Sequence, residues 1–226
     1  MSRSNLPSRP IKTLLWPLLL ALAPSACMAP APQVRIDNQS AIHDLSPQPA
    51  AAAHHELILS IAYIDAWSGT EIRAAVRQAA KIMAQCGIRT TRADLKQVAV
   101  PPSHRDFDTP RSRELARVLA LPKPALFFIA NTRQTPAFDA EAIGRGNSRT
   151  RPELTDTVWI TRGARDLGIV IAHELAHVLM DSGAHNAIAS NLMNTTTTPQ
   201  NTQLTAAQCT QITSRGGSNS LLRGVN

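Results

Sequence analysis

The residues that name a chemistry are His173, Glu174 and His177, in the run Gly168-Ile-Val-Ile-Ala-His-Glu-Leu-Ala-His-Val-Leu-Met180. Two histidines four apart on a helix project from one face, a turn apart, so both imidazoles can reach one metal ion. The glutamate after the first histidine sits near that face. It can take a proton from water held by the metal without itself being a ligand. Ile169, Val170, Ile171, Leu175, Val178 and Leu179 flank these residues, as suits a helix buried across a domain with one polar edge facing a cleft. The same pattern can arise by chance on a core helix whose histidines are merely hydrogen-bonded. The residues downstream of His177 weigh against chance.

Catalytic zinc sites usually take three ligands from the protein, so a third must come from elsewhere. Asp181 and His185 are the first candidates after His177. On a continued helix Asp181 would lie roughly 12 Å along the axis from His173, at 1.5 Å per residue. That is too far for both to share an ion. Ser182-Gly183 offers a helix stop, with Gly183 able to take the left-handed conformation of a C-terminal cap. The chain can then turn back and bring His185 to the metal. Asn191-Leu-Met-Asn194 comes shortly after.

The order His-Glu-x-x-His, a glycine turn, a third histidine and a short loop to a methionine resembles the metzincin clan of zinc endopeptidases. The resemblance implies one zinc ion held by His173, His177 and His185, with Glu174 as general base and Met193 as the methionine of the turn beneath the metal. It also implies a peptide or protein substrate, cut by a zinc-activated water. The spacing departs from the usual pattern: Met180 stands where glycine is expected, Gly183 comes six residues after His177 and His185 eight after it. No tyrosine follows Met193, so the additional tyrosine ligand of some metzincins is absent. Upstream, Ala142, Ile143 and Gly144 resemble the edge strand on which metzincins hold an extended substrate, to which a peptide can add as a further strand. An ordinary glycine-containing loop is the alternative for that stretch.

Several elements must position these residues. Glu56–Ile64 is rich in β-branched and aromatic residues and predicts a first strand. Ser68-Gly-Thr-Glu71 predicts the start of a helix, apolar at Ile72, Ala75, Val76, Ala79, Ile82 and Met83, that ends near Gly87. Residues 88–100 predict one or two strands. Thr109-Pro110 opens a helix to about Leu119, with proline at the first helical position. Pro124–Ala130 and Asp156–Ile160 read as buried strands, and Leu204–Ile212 as a capped last helix. The expected fold is α+β: a metzincin-like single catalytic domain over 56–214, with a twisted mixed sheet, an active-site helix and a C-terminal helix.

The ends of the chain read differently. Arg3, Arg9 and Lys12 precede the apolar run Leu14–Ala23, which leads to the small residues before Cys27. Residues 1–26 thus read as an export signal. The run is well short of the ~20 residues a spanning helix needs. Cleavage before a lipidated Cys27, anchoring the chain to a membrane, competes with cleavage by the general signal peptidase. The corresponding destinations are the periplasm or outer membrane, and secretion. Residues 27–55, rich in alanine and proline, read as a linker, and 215–226 as a flexible tail.

Export leaves Cys86 and Cys209 in the folded part, and two cysteines in an oxidising compartment suggest one disulfide. A free thiol that blocks the zinc is the alternative. The chain carries +7, with three basic and no acidic residues before position 27. The remainder therefore holds 20 Lys+Arg against 16 Asp+Glu. This mild balance, without a basic tract, argues against nucleic acid as a partner. About 200 residues suit one domain, expected to be a monomer.

Together these features predict an exported zinc endopeptidase. Two rivals are a zincin whose third ligand is an acid such as Glu141 or Asp181, and an exported zinc-binding envelope protein that cleaves nothing. Glu174 weighs against the latter, because a structural zinc site has no use for a base and is closed by a fourth protein ligand.

Overall fold

Apolar runs alternating with cap signals build a sheet that carries its helices between strands. The computed structural model describes residues 33–46, 53–133, 142–144 and 151–225, all within the unit 32–226. In chain order the elements are β1 (Arg35–His43), β2 (His55–Tyr63), α1 (Gly69–Met83), β3 (Ile88–Ala99), β4 (Asp106–Phe107), α2 (Thr109–Leu119) and β5 (Ala125–Phe128). Then come β6 (Asn131–Thr132), β7 (Ala142–Gly144), β8 (Thr157–Ile160), α3 (Leu167–Met180), α4 (Ala206–Ser218) and β9 (Arg223–Gly224).

The main sheet runs β1-β3-β2-β5-β8-β7, while β4 and β6 form a separate pair. Strands β3, β2, β5 and β8 are mutually parallel. Antiparallel β1 and β7 close the two sides. Parallel strands covered on both faces read as continuous apolar runs. Accordingly every residue of Ala125–Phe128 and Thr157–Ile160 is buried. Trp159 stacks on Phe127 at 4.2 Å between ring centroids, and its indole N–H donates to Thr157 Oγ1 at 2.9 Å.

Helix α1 starts where the Ser68 hydroxyl accepts the Glu71 N–H, and its apolar stripe Ile72, Ala75, Val76, Ala79, Ile82 and Met83 is buried. It packs against α3, which is buried from Gly168 to Met180. The two helices meet closely at Gly168: a Cβ there would lie 2.5 Å from Gln78 Cβ. Helix α4 also packs against α3, where Gly216 lets Leu222 and Leu179 approach. A disulfide between Cys86 and Cys209 fastens α4 to the end of the α1 segment. Among the described residues no helix is long and apolar enough to cross a membrane.

Three expectations are corrected. Residues 35–43, read as linker, form β1, which pairs with β3 from Arg35↔Ala99 to His43↔Arg92. Nearly all of its residues are exposed apart from Ile42, so backbone pairing rather than an apolar period makes the strand. The flexible tail expected over 215–226 is instead ordered as far as it is described: residues 215–225 finish α4, bury Leu221 and Leu222, and add β9 to β2 at His55 and Glu56. The left-handed cap of α3 falls on Asp181 (φ 51°), not on Gly183, because the helix ends immediately after Met180. The proposed signal at 1–26 and Cys27 lie outside the described residues.

Candidate metal centre

Helix α3 supplies two of the three site histidines. His173 and His177 are buried at 5% and 8% exposure, and Glu174 beside them at 9%. At the helix end the Ser182 N–H donates to the His177 carbonyl. The chain then turns and presents His185 from the exposed loop. The Nε2 atoms of His173, His177 and His185 are mutually 3.1 Å apart. These are the three histidines that the sequence predicts as ligands, and among the described residues they form the cluster suited to a metal ion.

The opposite ring nitrogens explain the arrangement. His173 Nδ1 donates to the Leu192 carbonyl at 2.7 Å, and His177 Nδ1 to the Ser182 carbonyl at 2.6 Å. A carbonyl can only accept, so this network assigns the proton of each ring to Nδ1. Nε2 of His173 and of His177 is then a lone pair aimed at the shared centre. Lone pairs held this close repel one another unless a cation lies among them. A separation of 3.1 Å suits three ligands around a four-coordinate zinc with bonds of about 2.0–2.1 Å. Backbone carbonyls that fix the tautomer are the usual outer partners of metal-binding histidine. The donor set therefore fits zinc.

The loop from His185 to Asn194 is held by asparagines, a feature that residue spacing does not announce. Asn191 Oδ1 accepts from the Asn186 side chain at 2.8 Å and from the Met193 N–H at 2.9 Å. Asn194 Nδ2 donates to the Ile188 carbonyl, and the Asn186 N–H to the Met193 carbonyl. Met193 is buried at 1% and directly follows Leu192, whose carbonyl orients His173. The sequence signal for this network is only the presence of Asn186, Asn191 and Asn194 in one short stretch.

Strand β7 pairs with β8 through Ala142↔Ile160, Ile143↔Trp159 and Gly144↔Val158, at one end of the sheet and alongside α3. Of the two acids considered as ligands, Asp181 serves as the cap residue of α3, and Glu141 lies outside the described residues.

The pattern of peptidase family M48 matches residues 110–225, more than half of the chain and inclusive of the whole triad. The chain belongs to peptidase family M48. Members of M48 are zinc metallopeptidases, hydrolases acting on peptide or protein substrates. The M48 match begins within α2, so β1, β2, α1, β3 and β4 precede it. Among curated proteins none matches the chain.

Proposed function

We propose that this M48 peptidase is an exported zinc endopeptidase whose metal ligands are His173, His177 and His185 and whose general base is Glu174. The observation that carries the reading is the triangle of Nε2 atoms at 3.1 Å, with Nδ1 of both helix histidines committed to carbonyls. A histidine as third ligand and a buried methionine after it are the metzincin-like part of this reading. Zinc, when bound, supplies Lewis acidity toward a carbonyl oxygen and eases proton loss from water.

The remaining chemistry falls to the chain itself. Glu174, one residue from His173 and shielded from bulk water, accepts the proton of the attacking water on its carboxylate. It then delivers that proton to the leaving amine. The outer edge of β7 offers backbone groups on which an extended peptide docks as an added strand. Residues 1–26 direct export, with lipidation at Cys27 as one route to a membrane, and the Cys86–Cys209 disulfide accords with an oxidising destination. A single-domain monomer suffices for all of these roles.

Metal content tests the reading. The purified full chain should bind one zinc per molecule, lose peptide cleavage on chelation and regain it on adding zinc back. Cleavage that persists in fully metal-free protein would overturn it.

A further inference from the structure

Two glutamines stand beside the two disulfide cysteines: Gln208 reaches into the loop that shapes the metal centre, and Gln85 clamps the segment that follows it. Gln85, next to Cys86, donates to the Thr202 carbonyl at 2.7 Å and accepts the Leu204 N–H at 3.3 Å. Gln208, next to Cys209, meets Asn191 amide to amide. Asn191 Nδ2 donates to Gln208 Oε1 at 2.9 Å, and Gln208 Nε2 donates to Asn191 Oδ1 at 3.0 Å. Asn191 is 2% exposed. Its Oδ1 therefore takes three donors: Gln208 Nε2, Asn186 Nδ2 and the Met193 N–H.

Two of those donors adjoin a site feature directly. Asn186 follows His185. Met193 follows Leu192, whose carbonyl holds His173 Nδ1. The Leu192 N–H is in turn fixed to the Gln203 carbonyl at 2.7 Å, within the segment that Gln85 clamps. A buried amide that satisfies several backbone and side-chain partners specifies one loop conformation, since any other would strand polar groups away from water.

We propose that Asn191 and Gln208 are positioning residues for the metal centre, coupling the disulfide-anchored start of α4 to the loop that presents His185 and the Leu192 carbonyl. The proposal rests on the metal-centre reading above. Neither residue touches the metal. Asn191 holds the shape of the loop, and Gln208 ties that shape to a helix that cannot drift from α1.

Zinc affinity by chelator competition, the visible spectrum of the cobalt(II)-substituted full chain and the melting of the metal-free chain test this together. Asn191→Ala and Gln208→Ala should each weaken zinc binding by about tenfold or more, the scale of losing an outer partner of a ligand, and should shift the cobalt bands. Asn191→Asp keeps the acceptor oxygen and should restore affinity toward wild type. Thr205→Ala removes the hydroxyl that caps α4 through the Gln208 N–H but leaves the amide pair, so it should lower melting without moving the spectrum. Gln208 is half-buried near the start of α4, more exposed than Asn191, and its variant keeps the test open if Asn191→Ala fails to fold. Unchanged affinity and spectrum in a folded Gln208→Ala would overturn the proposal. Wild-type protein that bound no zinc would instead overturn the metal reading, and this proposal with it.

Discussion

The Nε2 atoms of His177 and His185 lie 3.1 Å apart, although the first is buried in a helix and the second stands on an exposed loop eight residues later. The turn at Asp181 and the asparagine-held loop close that gap. Of the three proposed ligands His185 is thus the one most dependent on the loop, and its loss leaves two histidines on one helix. His185→Ala should lower zinc affinity by more than the roughly 10–100-fold cost of losing an outer partner. Chelator competition reads this directly, and wild-type affinity in the variant would remove His185 from the ligand set.

The Cys86–Cys209 disulfide closes a loop across 123 positions of sequence. Cross-links over loops of this length stabilise mainly by restricting the unfolded chain, by about 2–5 kcal/mol. Cys86→Ser with Cys209→Ser should lower the denaturant midpoint accordingly. No change in midpoint would mean that α4 is held by packing alone.

Much of this arrangement is legible in the sequence, and the exceptions share a cause. Ser68 with Glu71 and the apolar runs at 125–128 and 157–160 state their structures through local chemistry, a cap and burial on both faces. Thr109-Pro110 marks the start of α2 one residue late, since its cap is Asp108 and Pro110 stands second. The pairing of His173 with His177 follows from helical period, and two cysteines leave only one pairing. Strand β1 carries no apolar period, because it lies almost wholly exposed and is made by backbone bonds to β3. Leu221 and Leu222 are too short a run to announce burial among glycines and serines. The left-handed cap on Asp181 is a conformation usually given to glycine, which draws attention to Gly183 instead. The bonds of Asn191 to Gln208 join residues 17 apart, beyond what spacing can show.

Packing at Gly168 sets a steric limit on α3. A methyl group there would meet Gln78 Cβ at 2.5 Å, so α1 and α3 would have to separate. Overpacking of this kind costs typically about 1–3 kcal/mol. Gly168→Ala should therefore lower the melting temperature, and Gln78→Ala in the same chain should recover part of the loss, because it keeps Cβ but removes the Oε1 and Cδ that the methyl group would also meet. Additive effects of the two changes would contradict the contact.

Acid should weaken the anchoring of α2. Glu153 accepts from Arg113 through both carboxylate oxygens, at 3.1 and 3.2 Å. Those bonds, its own backbone N–H and the nearby Arg117 lower its pKa from 4.5 to about 2. A pKa depressed on folding gives stability that is present above about 4.5 and is lost as pH falls toward 2. Lys123 has the opposite consequence: burial lowers its pKa to about 8. It therefore opposes folding when charged, and this cost fades as pH rises from 8 to 10.5. Urea midpoints followed against pH should fall between 4.5 and 2, and Glu153→Gln should flatten that limb. An identical acid limb in the variant would assign the loss to other carboxylates.

Glu174 is proposed as the base of a zinc-dependent peptide hydrolysis at this triad. Cleavage of a mixed peptide library by the zinc-loaded chain, beside zinc-loaded Glu174→Gln, tests it most directly. The wild type should give chelator-sensitive cuts. Glu174→Gln should lose rate by a factor on the order of 10²–10⁴, with its zinc content unchanged. Wild-type rates from Glu174→Gln, or no cuts by folded, zinc-loaded wild type, would rule out that role for Glu174.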